Sequence, residues 1–274
     1  MQDKVINDNC RKVMTEIAET AGYLWEKGWA ERNGGNISVD VSDICTGERK
    51  RPLSKVPLAI SQFELGGRSF LVKVAGARML DVSRNPDQNI LLITINDDLR
   101  GYDILWRGKD DASRPTSEFI SHLKIHQYLR RNNLTQKVFL HTHPTYLIAL
   151  SHLKEYRNED QLNRLLFSMH PEVKVYIPEG VGFALYRCPS SEELADATVA
   201  ALLKHRVIVW EKHGCAAIGQ NPVEAFDLID IVNKAAQIFF ICKSAGFEPE
   251  GLSSDQLAEI ENAFKGSTHH IQDS

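Results

Sequence analysis

The sequence lacks most of the features that assign a chain quickly. Its five cysteines (Cys10, Cys45, Cys188, Cys215, Cys242) are odd in number and contain no CxxC pair. That usage speaks for reduced thiols in a cytoplasm, and against a disulfide frame or a cysteine zinc site. No apolar run is long enough to span a bilayer. The opening MQDKVINDNCRK is polar and has no signal-peptide core, so the expected location is cytoplasmic. A net charge of −4 without any dense basic stripe gives no support for a nucleic-acid partner. No GxGxxG follows a strand, and there is no GxxxxGK[ST], so neither dinucleotide nor P-loop nucleotide binding is indicated. Repeats, low-complexity segments and obvious linkers are also missing. What remains is an ordinary globular composition over 274 residues, 43% hydrophobic and 25% charged. An anionic small substrate would have to be held by local groups.

The elements that are present alternate irregularly. RKVMTEIAETAGYLWEKG reads as a first helix, with Val13, Ile17, Ala21 and Leu24 on one face and Gly28 as its stop. Asn33-Gly34-Gly35-Asn36 is a tight turn, after which Ile37, Val39 and Val41 alternate like a strand. Residues 42–69 read mostly as loop. FLVKVAG, NILLITI and Tyr102 to Trp106 read as three further strands. PTSEFISHLKIHQYLRR opens a helix with hydroxyl caps and an acid in its first turn. KVFLHTHPTYLIAL is a buried strand running into a helix. VKVYIPEGVG reads as a strand, SSEELADATVAALLKH as a helix with a Ser190–Glu193 capping box, and RVIVWEKHG as a strand. A long helix follows from cap Asn221 through Pro222 and Glu224 to Gly246. A short helix near 254–264 and a frayed tail, GSTHHIQDS, complete the chain. Six to eight strands among about five helices, out of strict alternation, favour an α+β fold or a mixed α/β/α-like sandwich over a Rossmann or TIM arrangement.

The chemistry starts at His141 and His143. Residues two apart in a strand point to one face, so both imidazoles leave the strand end together and offer two nitrogens to one metal ion. Taken alone, the pair reads more readily as two histidines capping a strand and bonding to backbone. His213, before Gly214 at the end of VIVW, is a third candidate ligand. Glu118, in PTSE, is a candidate carboxylate, or else a first-turn acid that complements a helix dipole. His122 and His126 form an HxxxH pair that reads as helix surface or packing. His152, His170 and His205 have no partner pattern, and His269 and His270 lie in the tail. Three histidines without cysteine suit Zn²⁺ with a position left open for substrate. The constellation describes a Lewis-acid site with a movable carboxylate and does not name its reaction.

WEKGWAERNGGNIS, PTSE, HTHPTYLIAL, IPEGVG and the HG after VIVW stand in an order and spacing that resemble the class II zinc aldolases, over nearly the whole chain. The resemblance implies a single domain, residues 1–274, with a central, mainly antiparallel sheet flanked by helices. It implies one Zn²⁺ per subunit and a cyclic homotetramer with sites at subunit interfaces. It implies His141, His143 and His213 as metal ligands, and Glu118 as catalytic acid/base close to the metal. Asn33, Gly34, Gly76, Thr116 and Ser117 would surround a substrate phosphate. Glu172 would reach the site of a neighbouring subunit and handle a proton near the aldehyde. One departure stands out: Ala75 occupies the place where the family usually carries a hydroxyl before the loop glycine, so one phosphate hydrogen bond would be missing or replaced by backbone N–H, and Lys73 or Arg78 could compensate.

These residue types suit the cleavage of a ketose 1-phosphate between C3 and C4, which leaves a carbanion beside the C2 carbonyl. Two carboxylates could divide the proton transfers at the C4 hydroxyl and C3, and no lysine is singled out for a Schiff base. An aldolase for another sugar phosphate, a metal-free interaction module on the same fold and a zinc hydrolase are the alternatives. The three histidines with Glu118 weigh against the second, and the phosphate features have no role in the third.

Overall fold

Nine strands pair into one sheet among residues 6–45, 52–58, 64–107 and 112–264, which the computed structural model describes. The order along the chain is α1 (Asp8–Glu26), β1 (Asn36–Asp40), β2 (Ser54–Pro57), β3 (Ser69–Lys73), α2 (Met79–Arg84), α3 (Pro86–Asn89), β4 (Ile90–Ile95), β5 (Gly101–Trp106), α4 (Phe119–Arg131) and β6 (Val138–Thr142). It continues through α5 (Thr145–Ser151), α6 (Glu159–Met169), α7 (Pro171–Tyr176), β7 (Gly182–Ala184), α8 (Glu192–Leu202), β8 (Val207–Trp210), β9 (Gly214–Gly219), α9 (Pro222–Ser244) and α10 (Ser254–Phe264). The strands lie in the order β2-β5-β4-β3-β1-β6-β9-β8-β7. Every pairing is antiparallel except β7 with β8. This is the expected α+β, α/β/α-like architecture, with more short elements than the sequence suggested.

Both faces of the sheet are covered, and the two-residue period of the strands sorts side chains between them. Ile37, Val39, Leu71, Val138 and Leu140 join the core beneath α1 and α9. The alternate residues Phe70, Val72, Leu91 and Ile93 meet Phe119 and Leu123 of α4. Phe139, Ile208 and Trp210 meet Ile125 and Leu129 of α4 and Leu194 of α8. Burial on two faces explains why these strands read as unbroken apolar runs. It also settles where β1 and β6 send their polar residues: Asn36, Ser38 and His141 share the parity of Phe139 and face α4.

Several expectations are corrected. Residues 173–182 do not form a strand. Pro171 at the first helical position starts α7, in which Val173 and Val175 are buried, and only Gly182–Ala184 joins the sheet. Apolar alternation there satisfied burial in a helix, so packing overrode β propensity. The cap of α8 is Ser191, which accepts from Leu194 N–H at 3.2 Å, and not Ser190. Residues 42–69, expected mostly as loop, are so among the described residues except for β2, an edge strand against β5, and the first residue of β3. Helices α2, α3 and α6 were not read from the sequence. The tail beyond residue 264 lies outside the described residues.

Cys10 and Cys45 are joined by a disulfide, Cα–Cα 6.3 Å, across 35 positions. This corrects the expectation of five reduced thiols, while Cys188, Cys215 and Cys242 are free. Spacing hid the pairing because the fold creates it. Asn7 caps α1 by accepting from Cys10 N–H, and its own amide donates to Ile44 O at 2.7 Å, which brings the turn after β1 onto the start of the helix. No helix among the described residues is long and apolar enough to cross a membrane.

Candidate metal centre and acid/base site

The site gathers at the end of β6, where three short segments converge. His141 is the fourth residue of β6, and His143 follows the strand's end. His213 sits in the tight turn between β8 and β9, beside Lys212 at φ 57°. β9 pairs with β6, with Thr142 opposite Cys215, so the turn is delivered against the strand end. The ring centroids lie 5.0 Å apart for His141 and His143, 4.8 Å for His141 and His213, and 5.5 Å for His143 and His213. One ligand atom from each lies within 4.8 Å of the others. His141 also stacks on Trp210 at 4.2 Å.

The donor set fits a divalent cation. His141 Nδ1 meets Cys215 O at 3.0 Å, and a carbonyl can only accept, so the ring proton sits on Nδ1 and Nε2 keeps its lone pair. His143 Nδ1 meets Glu31 Oε1 at 2.7 Å, which fixes the same tautomer. His213 Nδ1 is buried and has no hydrogen-bond partner among the described residues. Burial, with neighbouring imidazoles, holds His141 well below the ordinary histidine range and lowers His213 to about 4. Neutral rings with free lone pairs are the ligating form. Two glycines leave the room that the rings occupy. A Cβ on Gly34 would stand 2.9 Å from His143 Cε1, and one on Gly214 would stand 2.8 Å from His141 Cε1.

Glu118 is buried at 7% exposure, and its Oε2 lies 3.9 Å from His141 Nε2. The expectation of a first-turn acid is corrected: Glu118 occupies the N-cap position of α4 and makes no side-chain cap there. Its carboxylate turns inward and accepts from Asn36 Nδ2 at 2.5 Å. Burial raises its pKa, while the Asn36 bond and the charges of His143 and Lys73 pull the other way. A carboxylate that gives up a helix cap to sit beside three imidazoles, with its proton affinity raised, can carry a proton as well as accept one.

The residues expected at the phosphate lie around the end of β3 and the turn before α4. Lys73, buried at the end of β3, donates to Asn33 O at 3.2 Å, and its own carbonyl accepts from Thr116 N–H at 3.1 Å. A bridge between Val74 and Pro115 ties the Ala75-Gly76 loop to the turn that carries Thr116 and Ser117. Gly76 takes φ +76° with open space at its Cβ position, and Ser117 is exposed. The structure therefore brings Asn33 to the buried Lys73 ammonium and Thr116 to the Lys73 backbone carbonyl, while Gly34 lies against His143. Burial depresses that ammonium to about 8 against the opposing charge of Glu118. Arg78 stands exposed at the cap of α2. Glu172 is not part of this group. It lies in the first turn of α7, 2.9 Å from His170 Nδ1, and pairs with none of the three histidines among the described residues.

His122 and His126 are not on a helix surface. Both are buried, in keeping with the packing half of the reading, and they contact Asn36 and Ser38 of β1. Asn36, Ser38 and Glu31 were not read as functional from the sequence. The available signal was that Asn36 and Ser38 are polar residues at alternate positions of a strand otherwise buried on both faces.

The sequence pattern of the Class II Aldolase and Adducin N-terminal domain family matches residues 15–240. The rhamnulose-1-phosphate aldolase of Bacteroides thetaiotaomicron is 43% identical over 256 residues, 92% of this chain and 94% of that protein. The protein of the same name from Listeria welshimeri is 35% identical over 82% of each chain. A crystal structure of a sugar-phosphate aldolase from Thermotoga maritima superposes with a TM-score of 0.78 at 32% identity, over 89% of this chain and all of that one.

Proposed function

The chain belongs to the class II aldolase and adducin family, and from that premise we propose that it is a metal-dependent lyase that reversibly cleaves L-rhamnulose 1-phosphate to dihydroxyacetone phosphate and L-lactaldehyde, in L-rhamnose breakdown. The observation that carries the reading is the cluster of His141, His143 and His213 with the inward-turned Glu118 beside it. In this reading residues 1–274 act as one domain, the ion is Zn²⁺, and the chain works in the cytoplasm as a homotetramer.

The three histidines would hold the ion, which supplies positive charge to stabilise the carbanion left at C3 when the C3–C4 bond breaks. The remaining work belongs to side chains. Glu118, whose burial favours its protonated form, delivers a proton to C3. Glu172 of a neighbouring copy takes the C4 hydroxyl proton as that carbon becomes the aldehyde. Its separation from the histidines within one chain agrees with that assignment. Asn33, Gly34, Gly76, Thr116 and Ser117 seat the phosphate. The buried Lys73 ammonium lies beside Asn33 and replaces the hydroxyl missing at Ala75 with a charge.

The test is to incubate zinc-loaded protein with L-rhamnulose 1-phosphate and follow dihydroxyacetone phosphate through coupled NADH oxidation. L-Fuculose 1-phosphate and an EDTA-stripped sample serve as controls. Release from the rhamnulose ester that is lost on stripping and restored by zinc supports the reading. Release from the fuculose ester alone overturns the substrate and keeps the chemistry.

A further inference from the structure

The polar contacts of Glu118 do not end at Asn36. Asn36 Oδ1 meets His122 Nε2 at 2.6 Å, His122 Nδ1 meets Ser38 Oγ at 2.6 Å, and Ser38 Oγ meets His126 Nε2 at 2.7 Å. The five side chains alternate between two elements: Glu118, His122 and His126 from the start and body of α4, and Asn36 and Ser38 from β1. Two repeats make this possible. Four helical residues advance about 6.0 Å, and two strand residues advance about 6.6 Å. A helix lying along a strand can therefore interleave its i, i+4 side chains with the strand's i, i+2 side chains. Phe70 packs against the His126 ring and Phe139 against the His122 ring, each at 4.7 Å, and both imidazoles are buried.

We propose that Ser38, His122 and His126 are positioning residues for the acid/base reaction of Glu118, acting as a buried relay of fixed polarity that locks the Asn36 amide with its N–H toward the carboxylate. The direction follows from donors and acceptors. Asn36 Nδ2 can only donate, so it faces Glu118 and leaves Oδ1 to accept. His122 must then carry its proton on Nε2. Burial lowers His126 to about 4 and His122 well below the ordinary range, so both rings are neutral and each has one donor and one acceptor nitrogen. His122 Nδ1 therefore accepts from the Ser38 hydroxyl, and Ser38 accepts from His126 Nε2–H. All four bonds run toward Glu118. The relay orients and does not conduct, because the Asn36 amide interrupts any proton path. If Ser38 is lost, His122 is free to move its proton to Nδ1, Asn36 is free to flip its amide oxygen toward Glu118, and the carboxylate loses its fixed bearing.

This inference rests on the assignment of Glu118 as the acid/base group, and its test separates the two. Nitrogen-15 histidine NMR on the zinc-loaded wild-type protein reads the relay without turnover. At neutral pH, His122 and His126 are expected as neutral Nε2–H tautomers. In Ser38→Ala, His122 is expected to show a changed or mixed tautomer. Kinetically, Ser38→Ala should lower kcat roughly ten- to hundredfold, as expected for a displaced catalytic group, with KM and zinc content held. Ser38→Thr, which keeps the hydroxyl, should restore both kcat and the tautomer. A charged His126, an Nδ1–H tautomer at His122 in the wild type, or a Ser38→Ala enzyme that only melts earlier while keeping its kcat would overturn the relay. Correct tautomers in a protein that cleaves no ketose 1-phosphate would support the relay and refute the aldolase reading.

Discussion

Asn36 of β1 and His141 of β6 are register partners on adjacent antiparallel strands, so they leave the sheet on the same face, and Glu118 meets both. The carboxylate is thus suspended between an amide that donates to it and an imidazole that would be occupied by a cation. Glu118→Gln preserves the shape and most of the hydrogen-bonding capacity but cannot carry the proton. The variant should keep zinc and its melting temperature and lose roughly 10²- to 10⁴-fold in kcat. Metal analysis beside steady-state kinetics checks this, and wild-type turnover would remove Glu118 from the chemistry.

The three histidines differ in what else they do, so their alanine variants should separate. His143 has a side chain that is 16% exposed and is oriented by an exposed glutamate, whereas His141 is fully enclosed and stacked on Trp210. His143→Ala should lose zinc and activity with a small change in melting temperature. His141→Ala should lose both functions and also destabilise the fold by about 2 kcal/mol or more, through the cavity it leaves. Zinc content by elemental analysis, with thermal melts of stripped samples, distinguishes the two.

Gly34 makes a finer test of the same geometry. A Cβ there would stand 2.9 Å from both Glu31 O and His143 Cε1. Gly34→Ala should push the His143 ring off its position and weaken zinc binding, while leaving the remote hydrophobic core intact. Competition with a chelator reads the affinity. Unchanged affinity would show that the NGGN turn plays no part in holding His143.

The layers and the site were unequally legible in the chain. Strands β1, β4 and β6 and helix α9 announced themselves, because burial on both faces leaves long apolar runs and because Asn221, Pro222 and Glu224 spell a helix start. The histidine cluster was legible too, since HxH at a strand end and a histidine before a glycine each carry a geometric consequence. Three things were not. Val173 and Val175 alternate like a strand but are buried in α7, and only the neighbouring elements decide that. Cys10 and Cys45 meet through tertiary docking of a turn on a helix. The inward side of α4 looked like helix packing because nothing local reveals that Asn36 and Ser38 lie opposite His122 and His126.

Lys73 gives a prediction that follows from this chain's own departure at Ala75. Its ammonium is buried, bonded to Asn33 O, and carries a pKa lowered to about 8 by desolvation. If it faces the phosphate, Lys73→Met should raise KM for the sugar phosphate at least tenfold, with kcat changed much less. Inhibition by inorganic phosphate should weaken in parallel. A charge-assisted bond of roughly 1.5–3 kcal/mol sets that scale. A fall in kcat alone would instead place the ammonium with Glu118.

Acid stability tests the buried histidines independently of catalysis. His126 has a folded value of about 4 against an ordinary 6.5, and desolvation is the main cause. Because the folded value is depressed, the unfolded chain takes up the proton first as pH falls. Stability is full above about 6.5, declines between 6.5 and 4, and levels off below 4. At ~1.4 kcal/mol per pH unit, this one ring accounts for roughly 3 kcal/mol across that window. His122 acts in the same direction. His126→Gln, which keeps a donor for Ser38 but does not titrate, should flatten the decline. Both proteins should be compared as metal-stripped samples, so that the titration of the histidine cluster is common to both. Denaturant melts at pH 7.5, 6 and 5 measure the difference. Parallel slopes in the two proteins would mean that His126 is not held neutral, and would remove the electrostatic support for the relay's polarity.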